Sequence, residues 1–336
     1  VIPPPKAWVL VDAGNGTVLD AGNDREPLPP ASLTKLLTAV IAAQSLQPSD
    51  TMTVSARAAG EPARKIGMKA GEVWTFQDAL YCLMLSSAND AAAAIGERIG
   101  GTLENFAVIM ATAGRTLGLA DRPVLQDPAG LDDNFSVAGG NLVSARDLAI
   151  VARAALAQPF VASVVSTPRY SFVGPDGAHH RLTNHIYSFL TTYPGAIGLK
   201  PGFTQRAGSG LALAARRDGR TLIAIVLDAP DTTASAVRLL DEGFGLPPGA
   251  PGTGDVLPNV KLPSNPLIPV NSAAPAAAAS PVVPPRPSPS HHGTDPVEVA
   301  GVVALVLAPF ALIIAARRRQ VRLRRARRLA ARQYQT

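Results

Sequence analysis

Pro29-Pro30-Ala31-Ser32-Leu33-Thr34-Lys35-Leu36-Leu37-Thr38-Ala39-Val40-Ile41-Ala42-Ala43 is the stretch on which the reading of this chain turns. Ser32 and Lys35 stand three residues apart at a predicted helix start, so their side chains share one face and touch. A serine hydroxyl is a weak nucleophile at neutral pH. A desolvated, neutral amine beside it can take its proton. The helix start adds a positive dipole end and free backbone N–H groups next to the hydroxyl. Taken alone, S-x-x-K also fits a helix cap followed by a surface lysine. The surroundings point elsewhere. Lys35 is the only charge between Glu26 and Asp50, and Leu33 to Leu46 is apolar on every side. Such a helix is buried, and a buried lysine with no helical partner is costly unless it is paired or used.

The chain outside this helix divides by composition. Of its 336 residues, 1–248 read as one globular zone. Residues 249–296 hold 12 of the 31 prolines, with Ala and Ser between them, and read as a linker. In polyproline form it would reach roughly 140–150 Å at about 3.1 Å per residue. Residues 297–316 contain the uncharged run Val299 to Ala316, whose 18 residues as a helix span roughly 27 Å, near the thickness of a bilayer core. A buried soluble helix is the alternative, but no other fold-forming sequence surrounds the run. Residues 317–336 carry nine arginines, which places that end in the cytoplasm and the globular zone outside. A nucleic-acid-binding tail is the other reading of the arginines, and their position against the membrane span disfavours it. The start at Val1 carries the expectation of a removed signal peptide.

Charge follows the same division. The formal charge of +6 hides 20 Lys and Arg against 22 Asp and Glu in residues 1–250, a net −2. Residues 251–336 carry 11 against 3, a net +8. A basic face for nucleic acid is therefore not expected on the globular zone. The single cysteine, Cys82, excludes an intrachain disulfide and sits in an apolar run as an inert thiol.

Within the globular zone, Ala7 to Val11 and Thr17 to Leu19 read as strands joined at Asn15-Gly16. Helices are expected from Leu33 to Leu46, from Thr75 with Asp78 to Leu85, from Asp90 to Ile99, from Thr102 to Leu117, and from Ser144 with Asp147 to Ala157. Strands follow at Gly198 to Thr204, Gly210 to Arg216 and Thr221 to Asp228. Strands at both sequence ends with helices between them predict an α+β fold in which the terminal strands share one sheet.

Two more segments join the first. Ser87-Ala88-Asn89 lies at a break between two apolar helical stretches, where it also reads as a helix cap. Lys200-Pro201-Gly202-Phe203-Thr204 lies on a predicted strand, where the lysine also reads as a solvated charge. In order and context, these three segments resemble the S-x-x-K, S-x-N and K-T-G motifs of the penicillin-binding serine D,D-peptidases. They look most like the low-molecular-mass D-alanyl-D-alanine carboxypeptidases. Pro128-Ala129-Gly130-Leu131-Asp132 and Ser144-Ala145-Arg146-Asp147-Leu148-Ala149 look like that branch too. The resemblance covers roughly residues 6–245 and implies an antiparallel sheet packed with a helical region, as in β-lactamases and penicillin-binding proteins.

The resemblance implies roles residue by residue. Ser32 would be the nucleophile and Lys35 its base. Ser87 would relay a proton to the leaving amine, and Asn89 would hold the substrate amide and Lys35. Lys200 would face the substrate's terminal carboxylate, with Gly202 and Thr204 beside it. The backbone N–H groups of Ser32 and Phe203 would form the oxyanion hole. No cofactor or metal is implied. The implied activity is removal of the terminal D-alanine of peptidoglycan stem peptides, with β-lactams acylating Ser32. Pro201 departs from the pattern, which has Thr or Ser there, and it has neither hydroxyl nor N–H to offer a carboxylate. That departure motivates a second reading, a catalytically weak peptidoglycan-binding or sensor protein. A class A β-lactamase is disfavoured, because that class deacylates through a glutamate and none lies between Glu104 and Glu242. His179, His180 and His185 lack the acidic or cysteine partners of a metal site. His185 and Arg181 are further candidates to meet a substrate carboxylate.

Overall fold

Strands from the two ends of the globular zone lie side by side in the computed structural model, which describes residues 3–62, 64–132, 136 and 139–260. β1 (Ala7–Asp12) and β2 (Val18–Gly22) form the expected hairpin, and Gly16 supplies its left-handed turn at φ +81°. One 3-10 turn, Ala31–Thr34, runs straight into α1 (Lys35–Ser45). Next come a short pair, β3 (Thr51–Thr53) with β4 (Val73–Thr75), and between them the single turn α2 (Ala56–Gly60). The helical region continues through α3 (Phe76–Leu85), α4 (Asn89–Gly100), α5 (Leu103–Leu117), α6 (Ala145–Ala157) and α7 (Pro159–Val165). A hairpin of β5 (Arg169–Val173) and β6 (His179–Thr183) and the short α8 (Tyr187–Thr192) lead back to the sheet. The chain then adds β7 (Ala196–Thr204), β8 (Gly208–Arg217), β9 (Arg220–Leu227) and α9 (Thr232–Gly245).

The caps read from the sequence are the caps observed. The hydroxyls of Thr75, Thr102 and Ser144 accept from the backbone N–H three residues on, and Gly101 ends α4 at φ +75°.

The five-stranded antiparallel sheet runs β2-β1-β9-β8-β7. Alternation along its strands feeds two cores. Val9, Val11, Ile223 and Ile225 face the helices α1 to α7, while Leu10, Leu222, Ala224 and Val226 face α9. β7 is the edge strand of this sheet among the described residues; the 3-10 turn and α7 pack on it, and α1 is buried among the helices behind that turn. The site is built where the 3-10 turn meets that edge.

Two expectations change. The helix expected from Leu33 begins as a 3-10 turn, in which residues three apart eclipse, so Ser32 and Lys35 meet more directly than on an α-helix. Residues 253–258, which the sequence reading assigns to a linker from residue 249, are tied to the fold. Val18 N–H donates to Asp255 O, Leu257 N–H donates to Gly16 O, and Leu257 is buried. Arg146 reaches Asp255 at 2.6 Å and Arg153 donates to Pro258 O, so residues 253–258 are fastened to the hairpin and α6. Their Pro/Gly composition carries no periodicity that could have shown this. Elements α2, α7, α8, α9 and the two small hairpins are additions to the sequence reading. Among the described residues no single helix is long and apolar enough to cross a membrane. The rest of the linker, Val299 to Ala316 and the arginine tail lie outside the described residues.

Candidate active site

Local backbone strain sets Ser32 in place. Ala31 sits at φ +49°, a left-handed conformation costly for alanine. It is pinned from the far side by Gly130, at φ +77°, where a Cβ would stand 1.9 Å from Ala31 O. Only glycine fits there. The 3-10 turn then presents Ser32 Oγ to Lys35 Nζ at 3.0 Å. Lys35 is fully buried, and its amine also lies 2.9 Å from Asn89 Oδ1 and 2.7 Å from Ala129 O.

Ser87 approaches from the other side, 2.9 Å from Ser32 Oγ. It too has a left-handed backbone, φ +60°, at the break between α3 and α4. Asn89 opens α4, and its Nδ2 donates to Pro62 O at 3.1 Å. Asp90, next on the helix and fully buried, accepts from the N–H groups of Ile66, Gly67 and Met68. The α4 start thereby ties down the loop that carries Arg64 over the cleft. With the Lys35 amine neutral, Ser87 O–H donates to Ser32 Oγ and Ser32 O–H donates to Lys35 Nζ; with it protonated, Nζ donates to Ser32 Oγ.

β7 closes the third wall. A Cβ on Gly202 would lie 3.1 Å from Ser32 N and 3.2 Å from Leu33 N, so the strand backbone leading to Phe203 runs directly beside the Ser32 N–H. Thr204 Oγ1 accepts from Ala207 N and holds the β7–β8 turn. Lys200 is fully buried on the same strand, with Met84 O at 3.3 Å. The cleft enclosed by these segments measures about 400 Å³. Ser32, Ser87, Asn89, Gly202, Phe203 and Thr204 all line it, so the three sequence segments converge on one space. His185 lines it as well; Arg181 lies on β6 and is not among the lining residues.

Burial dominates the electrostatics. It lowers the Lys35 amine to about 7, against the opposing pull of Asp127, Glu61 and Asp90 and with help from Arg64. Lys200 is lowered well below its ordinary value by burial, then by Lys35 and Arg64. The same three cations, after burial, push His185 down to about 4, so its imidazole is neutral at neutral pH. Burial raises the Cys82 thiol, which keeps it inert.

Sequence reading missed the support behind Lys35. Asp127 is buried, and its Oδ1 accepts from the N–H groups of Ala129, Gly130 and Leu131 at 2.9, 2.6 and 3.0 Å. Asn141 Oδ1 accepts from the N–H groups of Gln126 and Asp127, while its Nδ2 donates to Thr34 Oγ1 and Asp127 O. Thr38 adds a bond to Pro128 O. These bonds aim the Ala129 carbonyl at the Lys35 amine. Pro128-Ala129-Gly130 marks the loop, but nothing in the sequence pairs it with Asn141 or Thr34. Arg64, Ser209 and Thr232, also on the cleft, stand outside any motif.

Comparison with known proteins agrees with this geometry. The family model described as D-alanyl-D-alanine carboxypeptidase, peptidase S11, matches residues 4–231. The D-alanyl-D-alanine carboxypeptidase DacB2 of Mycobacterium tuberculosis is 32% identical over 253 residues, 74% of this chain and 84% of that protein. A solved D-alanyl-D-alanine carboxypeptidase from M. tuberculosis superposes with a TM-score of 0.68 at 30% identity, covering 74% of this chain and 95% of that one. A mutant of the Streptomyces K15 DD-transpeptidase superposes with a TM-score of 0.65 at 26% identity, covering 72% and 98%. The family match spans β1 to the approach to α9 and takes in all three segments around the cleft, so the chain belongs to the S11 family of serine D-alanyl-D-alanine carboxypeptidases.

Proposed function

We propose that the chain hydrolyses the terminal D-alanine from peptidoglycan stem pentapeptides through an acyl-enzyme on Ser32. The observation that carries this is the 3.0 Å contact between Ser32 Oγ and a fully buried amine lowered to about 7. Half of such an amine is neutral at neutral pH and able to accept a proton.

Lys35 takes the hydroxyl proton as Ser32 Oγ bonds to the carbonyl carbon of the penultimate D-alanine. The oxyanion forms against the N–H groups of Ser32 and Phe203, each worth about 3–4 kcal/mol of barrier in comparable sites. The carbon–nitrogen bond breaks, and the amine leaves as D-alanine with a proton passed through Ser87. Water then attacks the ester with Lys35 as base, passes a second oxyanion and regenerates Ser32. Asn89 orients the amine and the substrate amide. Lys200 meets the terminal carboxylate, whose charge offsets the burial that otherwise disfavours the ammonium form. β-Lactams enter by the same acylation and stay, since the chain has no glutamate between Glu104 and Glu242 to speed their release.

The same reading extends to location. Val299 to Ala316 would anchor the chain, the arginines would lie at the cytoplasmic leaflet, and the proline-rich segment would let the catalytic part reach into the wall.

The test is D-alanine release from diacetyl-L-Lys-D-Ala-D-Ala by the full chain in detergent, alongside labelling by fluorescent penicillin. Both signals are expected, and Ser32→Ala abolishes both. Pro201 favours one competing reading, a wall-binding sensor. Stable penicillin labelling with no D-alanine release would select that reading instead.

A further inference from the structure

A second cavity, of about 340 Å³, opens beyond the catalytic cleft and shares His185, Pro201 and Thr232 with it as a common wall. It lies between α8 and α9 over β7 and β8. Phe189, Leu211, Leu213 and Val237 give it an apolar floor, and the aromatic pair Phe189–Tyr193 is stacked along it with ring centroids 4.9 Å apart. None of the described side chains lining it is charged at neutral pH, the His185 imidazole included.

Its position assigns it to one part of the substrate. On the reading above, the scissile carbonyl sits between Ser32 and Phe203, and the acyl side of the peptide lies along Gly202 to Thr204. The leaving residue then occupies the Lys200–Pro201 side, with its carboxylate toward Lys200. Its side chain is left facing the wall that the two cavities share. At that wall the chain carries a proline ring, an imidazole and one threonine. A D-alanine methyl would leave most of the space unfilled, and 340 Å³ is within the range of pockets that bind small ligands.

We infer that the second cavity is a leaving-group subsite, and that the enzyme accepts terminal D-residues with aliphatic or aromatic side chains in place of D-alanine. The inference rests on the carboxypeptidase reading and deepens it. The reaction is unchanged: the same carbonyl–nitrogen bond breaks, Ser32 is acylated, and the leaving amine departs as the larger free D-amino acid. Burying its side chain against Phe189 and Leu211 supplies binding energy that position 201, without a hydroxyl, cannot.

The test compares diacetyl-L-Lys-D-Ala-D-Ala with the D-Ala-D-Leu and D-Ala-D-Phe peptides on the full chain, reading the released D-amino acid. Expected kcat/KM values for D-Leu and D-Phe release lie no more than about tenfold below that for D-Ala release, since apolar burial in the second cavity compensates the bulk of the larger leaving group. Val237→Trp fills the cavity from the half-buried face of α9. It should reduce D-Phe release at least tenfold, with D-Ala release and penicillin acylation within about twofold of the parent. Thr233→Trp, at the exposed start of the same helix, repeats the test if the first variant misfolds. Release of D-alanine with D-Leu and D-Phe refused a hundredfold or more, or equal loss on all three peptides in a variant that penicillin still acylates, overturns the subsite alone. No release from any peptide, with penicillin labelling retained, overturns the carboxypeptidase reading and the subsite with it.

Discussion

Lys35 Nζ lies closer to Ala129 O, at 2.7 Å, than to Ser32 Oγ, at 3.0 Å. A carbonyl can only accept, so one amine hydrogen is committed to it. Asn89 Oδ1, at 2.9 Å, takes a second. A neutral amine has no third hydrogen, so its lone pair is turned to the Ser32 hydroxyl. A protonated Lys35 would instead donate its third hydrogen to Ser32 Oγ and could accept nothing. The loop carbonyl and the amide thus set the direction of the amine's lone pair, and burial sets how readily it can act as the proposed base.

Acylation should therefore follow the proton on Lys35. On the proposed mechanism the neutral form is the active one, and with the amine lowered to about 7 the rate of penicillin acylation should fall about tenfold per pH unit below 7 and level off above it. The groups acting on this amine are Asp127, Glu61 and Asp90, which raise it, and Arg64, which lowers it. Glu61 is itself raised to about 7, chiefly by burial, and its ionisation over the same range broadens the step. Stopped-flow acylation between pH 5 and 9 measures this. A rate independent of pH across that range would remove Lys35 from the role of base.

Asp127 offers a sharper test, because its two contributions separate. One oxygen holds three loop N–H groups, and the negative charge is the largest influence raising the Lys35 amine. Asp127→Asn keeps an oxygen for the loop and removes the charge. The acid limb of the acylation profile should move to lower pH, with the plateau changed less than about tenfold. Asp127→Ala loses the acceptor as well and should lower the plateau and the melting temperature together, by leaving three buried N–H groups unpaired. An Asn variant with an unmoved limb would show that Asp127 acts through the fold alone.

Much of this site could be read from residue order, and the reason is physical. Helix starts announce themselves through caps, as at Thr75, Thr102 and Ser144, because a serine or threonine there satisfies a backbone N–H that nothing else can. Continuous apolar runs such as Leu222 to Leu227 declare a strand buried on both faces. The three segments that line the cleft each sit at the end or edge of such an element, so locating the elements located them. The support behind Lys35 could not be read this way. Asn141 and Thr34 are 107 residues apart in sequence, and their 3.0 Å bond depends on the folded loop alone. The fastening of residues 253–258 is hidden for the same reason, since Asp255 matters only once Arg146 is beside it.

Lys200 should be a burden on stability. Its ammonium form is fully buried, Met84 O stands 3.3 Å away, and both Lys35 and Arg64 repel it. The folded state thus holds fewer protons on Lys200 and Lys35 than the unfolded chain, whose lysines release theirs near 10.5. On this account stability rises with pH from about 7 toward 10 and is least where both lysines are forced to be charged. Lys200→Met should raise the melting temperature by several degrees at pH 7 while abolishing D-alanine release. Scanning calorimetry of both proteins checks it. A lower melting temperature in the variant would mean that Lys200 is better paired than its contacts with Met84 suggest.

Pro201→Thr tests the edge of the sheet and the substrate end of the cleft at once. Among the described residues β7 borders no further strand, and Pro201 stands opposite Leu211 on β8. In a strand, N–H groups two residues apart point the same way, so position 201 shares its direction with Phe203, whose N–H is assigned to the oxyanion. The proline therefore costs the sheet no hydrogen bond, and threonine should fold equally well, with a melting temperature within about 2 °C of the parent. The new hydroxyl should lower KM for the D-Ala-D-Ala peptide several-fold, as a donor to the terminal carboxylate. It should also narrow the wall shared with the second cavity, so D-Phe release falls relative to D-Ala release. A melting temperature lower by about 5 °C or more would mean that threonine has buried an unpaired N–H against β8, and the assignment of Phe203 to the oxyanion would fall with it.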